Sequence, residues 1–349
     1  MTDKGIGSGP GGRRSWRTPT MSAIAREAGL GTATVDRVLN GRANVREATR
    51  RKVEAALERL ATPEAASAGT RPWRIAFLTE SGTSFNATLE AAVGQMPQGP
   101  TAPVLSFASV TSAQVDPVKF ANLIERTAET ADGLIIVVRE DLMINRAIRN
   151  VIARKVPVIC LTTDLPTTGR AAYVGSDQAS AGSTAAHLMG QLIGGRDGKI
   201  LLVYSAPYRA QEERELGFRR VLRAAFSHLD IDDRVNNNDD SDHSYRQVMK
   251  YIADHGAPAG IYNTVGGNSG IGRALTETGL AGKTIFIGHE LNANSRQLLE
   301  SGVMHFAIGH DVEREVALGI ETITAILDKR PPPPLMTTRV RVYTKYNCY

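Results

Sequence analysis

Apolar positions recur along this chain in two rhythms. Between residues 20 and 61 they fall at helical spacing in TMSAIAREAG, TATVDRVLNG and REATRRKVEAALERLA, and glycine-containing turns separate the first two segments. Three short helices are predicted there. After Trp73 the pattern changes to short, continuously apolar runs: RIAFLT (74–79), PVLSFA (103–108), GLIIVV (133–138), PVICLT (157–162), AYVGS (172–176), KILLVYS (199–205), AGIYNT (259–264), TIFIGH (284–289) and HFAIG (305–309). Helix-length amphipathic segments such as ASAGSTAAHLMGQLI and DVEREVALGIETITAIL lie between most of them. Strands this apolar are buried on both faces, and strands alternating with helices imply parallel sheets covered by helices. So many strands in the stretch from 73 to 349 predict two adjacent α/β lobes. PPPP at 331–334 ends the last long helix, and LMTTRVRVYT offers a final strand.

Between the two regions, TPEAASAGTRP is rich in small residues and proline and reads as a linker. The expected organisation is therefore a tail at 1–18, a small all-α domain at 19–61, a linker at 62–72 and a two-lobed α/β domain at 73–349. The tail, with GIGSGPGGRR at its centre, has too little apolar content to order itself.

Charge sharpens this picture. Residues 1–62 hold 12 Lys and Arg against 6 Asp and Glu, a net of +6, whereas the remainder holds 29 against 30, a net of −1. The basic excess sits on the helical end, where it suits a phosphate-binding module, although a solvated basic tail would look the same. Composition is that of a globular protein, at 42% hydrophobic and 22% charged. The first 20 residues lack the apolar stretch of a secretory signal and no run is long enough to span a bilayer, so a cytoplasmic protein without a membrane partner is expected. Cys160 and Cys348 are expected as free thiols, with no metal and no cofactor.

Residues 20–41 carry the most specific signal. Ile24, Ala25 and Ala28 give one helix an apolar face, Gly29 supplies a turn, and Val35, Val38 and Leu39 anchor a second helix, the arrangement of a helix-turn-helix. Thr32, Ala33, Asp36 and Arg37 fall on the outward face of that second helix, where threonine suits a thymine methyl and arginine a guanine edge. The segments AREAGLGTATVDRVLN and VREATRRKVEAALERL resemble the LacI/GalR family of bacterial regulators nearly position by position, through Val45, Thr49, Arg50, Val53, Ala56 and Leu60. The resemblance implies that Thr32, Ala33 and Arg37 read bases, and that Thr20, Thr34, Asn40, Asn44 and Thr49 contact phosphates or position the helices. Gly31 and Asp36 stand where the family usually has serines. Asp36 is repelled by phosphate, which leaves it to accept from a cytosine amino group or to orient Arg37. The linker LATPEAASAGTRP also lacks the family's tyrosine, asparagine and leucine wedge, which places minor-groove insertion in question.

The resemblance continues through YVGSDQASAGSTAAHL (173–188), RELGFRRVL (214–222) and HFAIGHDVEREVALGIETI (305–323), which are similar to the periplasmic sugar-binding-protein fold. It implies two lobes joined by three crossovers, with a small molecule, a sugar or polyol, held at the C-terminal ends of the strands. Candidate contacts at strand ends are Phe85, Asn86, Asp164, Arg214, Asn268, His289, Glu290, His310 and Asp311. The resemblance puts Arg214 first, because its counterpart in the family commonly forks onto ligand oxygens. Phe85 reads equally as core packing, and His289 and His310 equally as structural histidines. Asp177 is expected to cap the helix beginning near Ala179.

The resulting expectation is a non-enzymatic, ligand-responsive regulator, acting as a repressor, with partners in a palindromic double-stranded DNA operator, a small-molecule effector and a second copy of the chain. A sugar-binding protein without specific DNA recognition is the alternative. GGNSGIG (266–272), followed 20 residues after Gly270 by Glu290, superficially suggests a nicotinamide-dependent oxidoreductase, but its glycines do not form G-x-G-x-x-G.

Overall fold

The computed structural model of the chain describes residues 21–39, 45, 47–61, 71–205 and 207–349. Thr20, Asn40, Asn44, the tail at 1–18 and most of the linker lie outside the described residues. Two units meet in sequence at Pro72 and Trp73.

In the first unit, α1 (Met21–Ala28) and α2 (Thr32–Leu39) are joined through Gly29, whose φ of +64° is the left-handed conformation that glycine adopts without penalty. α3 (Glu47–Ala61) packs across both. Ile24, Ala25, Val35, Val53 and Ala56 form the small core, with Ala28, Leu30 and Val38 against it. Leu39 departs from expectation: it is 45% exposed, because one residue beyond Val38 a helix has already turned its side chain off the apolar face.

The second unit holds two lobes built on the same plan. Lobe 1 contains β1 (Arg74–Ser81), α4 (Thr83–Gly94), β2 (Val104–Thr111), α5 (Pro117–Thr127), β3 (Gly133–Val137), α6 (Leu142–Ala153), β4 (Val158–Leu161) and β5 (Ala172–Ser176). Lobe 2 contains α7 (Gln178–Ile193), β6 (Gly198–Tyr204), α8 (Arg209–Ala225), β7 (Leu229–Asn236), α9 (Ser241–His255), β8 (Gly260–Asn263), α10 (Asn268–Glu277), β9 (Ile285–His289), α11 (Ala293–Glu300) and β10 (Phe306–Gly309). The chain then returns to lobe 1 with α12 (Val312–Leu327) and β11 (Thr337–Thr338), and ends in lobe 2 with β12 (Arg341–Tyr343).

The strand orders are β11-β5-β4-β3-β1-β2 and β12-β10-β9-β8-β6-β7, parallel except for β12, which runs antiparallel to β10. Helices cover both faces of each sheet, so successive residues of one strand enter different cores: Ile75 and Phe77 face one side of lobe 1, Ala76 and Leu78 the other. Aspartate or asparagine side chains cap α5, α6, α7, α9, α11 and α12, with Asp177 accepting from Ser180 N at 2.9 Å as expected.

Two elements differ from the sequence reading. β7 was not among the predicted strands: LDIDDRVN is heavily charged, which an edge strand tolerates because one side of it stays open to water. The expected last strand is two strands, β11 and β12, in different sheets, and the residues between them form the third crossover. α12 ends at Leu327, four residues before the prolines. Cys160 and Cys348 are free and buried, one in the core of each lobe, and burial pushes the Cys160 thiol up to about 12.

Candidate ligand cleft and recognition helix

The C-terminal ends of both parallel sheets face a cleft of about 840 Å³. Of the nine residues expected there, Phe85, Arg214, Asn268, His289, Glu290, His310 and Asp311 line it. Asn86 and Asp164 do not. Asn86 is buried and ties β1 to α4 and β2, accepting from Thr79 Oγ1 at 2.9 Å and donating to the carbonyls of Ser81 and Val110 at 3.2 and 3.1 Å. Asp164 is occupied by the Arg170 guanidinium and by Leu165 N. Both lie close to strand ends in sequence, but their side chains turn into the lobe instead of the cleft.

Arg214 is placed by an unusually close helix pair. A Cβ on Gly182 of α7 would lie 1.8 Å from the Arg214 carbonyl oxygen, and one on Gly217 of α8 would lie 2.0 Å from that of Ala179. Only glycines let the two backbones touch, and that contact sets where the guanidinium emerges. Arg214 Nε donates to Gln178 Oε1 at 2.7 Å, Nη1 to the Thr264 carbonyl at 2.8 Å, and Nη2 to Glu290 Oε1 at 3.5 Å. These bonds use three of the guanidinium's five N–H groups, and the side chain lines the cleft.

Glu290 has a φ of +67° and belongs to a buried chain of charges that reaches the crossovers. Its Oε1 is 3.3 Å from His310 Nε2, and Glu315 Oε1 is 2.8 Å from His310 Nδ1. These carboxylates flank the ring at ion-pair range but off the N–H directions, so the attraction is mainly coulombic. Burial alone would lower the His310 pKa, but Glu315 and Glu290 outweigh it and hold the imidazole well above its ordinary range, as a cation. Burial would likewise raise Glu290, yet His310 and Arg214 keep it below the usual carboxylate value. Glu315 also accepts from Thr162 Oγ1 in lobe 1 and from Thr338 Oγ1 at the third crossover. His289 behaves oppositely: burial, then Arg214 and His310, keep it well below its ordinary value, and its Nε2 sits 2.9 Å from the Tyr262 hydroxyl. Asn268 donates to the His289 carbonyl at 2.9 Å and to Ser295 Oγ at 3.0 Å, fixing the β9 end.

Lobe 1 contributes Phe85, whose ring centre lies 6.0 Å from that of His310, and the hydroxyls of Ser81, Thr83 and Ser84. Asp311 caps α12 and pairs with Arg341, closing the cleft's hinge side. Sequence reasoning missed Gln178, Tyr208, Asp239, Glu315 and Tyr343. Asp239 lay in NNNDDSD, which reads as a polar loop; in the structure it adopts a φ of +55° and accepts from Ser205 Oγ at 2.7 Å and Gly266 N at 2.9 Å. Burial raises its pKa. The GGNSGIG segment serves packing: a Cβ on Gly270 would lie 1.7 Å from the Ser241 carbonyl oxygen, so this glycine brings α10 against α9.

In the helical unit, Thr32, Ala33 and Arg37 are exposed along one face of α2, Thr34 and Asp36 are half-buried, and Thr49 is half-buried on α3. Gly31 accepts from Thr34 N and Val35 N through its carbonyl, so it still starts α2 without a side-chain cap.

The geometry is that of a two-lobed binding protein preceded by a helix-turn-helix, and the comparisons with known proteins agree. A family model described as periplasmic binding protein domain matches residues 81–331, and one described as bacterial regulatory proteins, lacI family, matches residues 20–61. The chain belongs to the periplasmic binding protein domain family and, with its head, has the architecture of the LacI/GalR regulators. Similar solved structures include GanP, a glucose-galactose binding protein from Geobacillus stearothermophilus, at 17% identity and a TM-score of 0.71, covering 80% of this chain and 99% of that one. A transporter solute binding protein from Agrobacterium vitis with bound D-fucose matches at 22% identity and 0.70, covering 78% and 96%. Another, from Actinobacillus succinogenes with bound D-allose, matches at 18% and 0.67, covering 79% and 99%. At these identities the likeness is one of fold. No curated protein sequence matches the chain. Among the described residues no helix is long and apolar enough to cross a membrane.

Proposed function

We propose that the chain is a cytoplasmic transcription regulator that binds a palindromic DNA operator as a homodimer and adjusts that binding to a sugar or polyol held in the cleft, repressing a carbohydrate or polyol utilisation operon. The observation that carries the reading is a helix-turn-helix with Thr32, Ala33 and Arg37 exposed on its second helix, in one chain with a cleft lined by Arg214. Two recognition helices of a dimer reach successive major grooves about 34 Å apart. Arg214, Glu290 and Asp311 supply the planar acceptors and donors that hydroxyl pairs require, and Phe85 supplies an apolar face for the C–H side of a ring. The sugars named for the similar binding proteins support the same ligand class.

Because Glu290, His310 and Glu315 link the cleft to two crossovers, ligand contact with Arg214 or Glu290 is expected to bias the lobe angle, and through it the spacing of the DNA-binding heads. The test is fluorescence anisotropy of the full chain with its own upstream intergenic DNA, an unrelated duplex and a panel of neutral sugars and polyols, at two salt concentrations. Tight, salt-weakened binding to one palindromic site, altered by one panel member, is the expected result. Equal weak binding to both duplexes would overturn the reading in favour of a sugar-binding protein without specific DNA recognition. Arg37→Ala is expected to weaken operator binding while leaving effector affinity unchanged.

A further inference from the structure

One rim of the cleft is closed by the protein's own side chains. Tyr208 lies in the loop between β6 and α8 of lobe 2 and is 5% exposed. Its hydroxyl sits 2.9 Å from the Glu80 carbonyl oxygen and 2.5 Å from Glu80 Oε1, at the end of β1 in lobe 1, and 2.8 Å from Ser112 Oγ, just past β2. Glu80 is fully buried and also accepts from Arg139, through Nε at 3.0 Å, Nη2 at 2.5 Å and the backbone N at 3.1 Å. The same Arg139 Nη2 donates to the Ser112 carbonyl at 2.8 Å, so one lobe 1 cluster presents a ready-made socket for the phenol. Burial, then the Glu80 charge, keeps the Tyr208 phenol protonated; it donates to Glu80, and Ser112 donates to the phenol oxygen. Three neighbours continue the seam: Glu140 N donates to the Pro207 carbonyl at 3.0 Å, Ala210 N to Thr163 Oγ1 at 3.2 Å, and a Cβ on Gly82 would stand 3.1 Å from Asp239 Cβ.

We propose that Tyr208 is the keystone of an interlobe latch, built with Glu80, Arg139 and Ser112, that populates the closed cleft before any ligand arrives and thereby sets the affinity for the ligand. The affinity half of this rests on the reading of the cleft as an effector site; the latch itself does not. A hydrogen bond from a phenol to a buried carboxylate paired with an arginine is of the strong, charge-assisted kind. None of its atoms has to be supplied by a ligand. When only the closed form binds tightly, the apparent dissociation constant is the intrinsic one divided by the closed fraction, so a latch that raises that fraction tightens binding without touching the ligand.

The experiment uses the full chain with spin labels on Lys119→Cys in α5 and Lys250→Cys in α9, one in each lobe and both on exposed side chains, while the native cysteines are each 1% exposed and stay unlabelled. Pulsed dipolar distances are recorded without ligand. With the labelled chain diluted in excess unlabelled chain, so that only distances within one copy are read, the latched protein is expected to give one dominant distance, Tyr208→Phe a second, separate population, and Ser112→Ala the same change to a lesser degree. Tyr208→Phe keeps the packed ring, so it is expected to fold. An unchanged distance distribution in Tyr208→Phe overturns the proposal. In parallel, calorimetry with the neutral monosaccharide panel is expected to show binding weakened by about tenfold in Tyr208→Phe, as a fall of the closed fraction to about a tenth requires. Unchanged affinity for a sugar that does bind overturns the affinity half. If no panel sugar binds the unsubstituted protein, the sugar reading fails, and the distances still decide the latch.

Discussion

The two lobes share a strand order and face each other across one cleft, yet they bring opposite chemistry to it. Lobe 1 offers an aromatic face at Phe85 and hydroxyls at Ser81, Thr83 and Ser84, with Glu313 at the start of α12. Lobe 2 offers Arg214, Asp239 and Glu290, with His289 held neutral beneath them. The fold places strand ends and helix starts at the cleft in both halves, but it leaves the residues there to vary. With the guanidinium and most of the buried charge on lobe 2, a polar ligand is expected to be gripped by lobe 2 and covered by lobe 1. The comparison breaks if substitutions on the lobe 1 wall cost more affinity than those on lobe 2.

The largest effect is expected from Arg214→Ala. It removes the only guanidinium in the buried chain and leaves Glu290 with His310 alone, so unfolding free energy is expected to fall by roughly 3 to 5 kcal/mol. Effector affinity is expected to fall by at least about a hundredfold, as loss of a forked charge-assisted contact implies. Calorimetry and denaturant unfolding read the two separately. Arg214→Lys is expected to recover part of the stability and little of the affinity, since an ammonium cannot make the same fork. Full recovery of affinity would show that lobe 2 needs only a charge there.

Gly182→Ala tests the same residue from behind. Its new methyl would meet the Arg214 carbonyl, so α7 and α8 must separate, at a cost of about 2 kcal/mol in stability. Affinity is expected to fall with it, because the guanidinium moves. A stability loss with unchanged affinity would show that Arg214 is positioned by its hydrogen bonds rather than by the helix contact.

How much of this was legible beforehand varies by residue, for physical reasons. The helical head and the alternating α/β body follow from periodicity, which is local. Arg214, Phe85 and Glu290 were found because strand-end positions and the RELGF segment mark the cleft side of this fold. Asn86 and Asp164 were wrongly placed in the cleft because sequence proximity to a strand end does not give side-chain direction: Asn86 turns back to Thr79, and Asp164 to Arg170. Glu315 was missed although it shares a helix face with Gly319 and Thr322, since a buried glutamate is unexpected until His310 and two threonines are seen around it. Tyr208 and Asp239 depend on a contact between lobes more than a hundred residues apart in sequence, which no local pattern carries.

The buried charge chain gives the comparison a pH dependence. His310 is raised above the ordinary histidine value of 6.5, so the stability it contributes is fully present below that value and is lost as pH rises through its higher folded value. Glu290 is lowered, so its contribution is present above the ordinary carboxylate value and is lost as pH falls through its lower folded one. Thermal unfolding across pH is therefore expected to show a plateau between the ordinary carboxylate value and 6.5, with a decline that sets in above 6.5, and His310→Gln is expected to flatten that decline. A decline that survives the substitution would assign it to another group.

The smallest effect is expected at Phe85, and it bears most directly on what lobe 1 is for. Phe85 is half-buried against the lobe 1 core and tilted at 49° to the His310 ring, so it can cover a ligand without being needed to build the wall. Phe85→Ala is expected to lower sugar affinity by about tenfold, which corresponds to ~1.4 kcal/mol and lies at the upper end of what one aromatic face adds. The loss should be largest for sugars that present a continuous C–H face and smallest for open-chain polyols, which have no such face to stack. Calorimetry with one cyclic and one linear panel member separates the cases. An equal loss for both would mean that Phe85 acts by excluding water from the charged wall of lobe 2, and that the division of labour between the lobes is one of solvation rather than of contact.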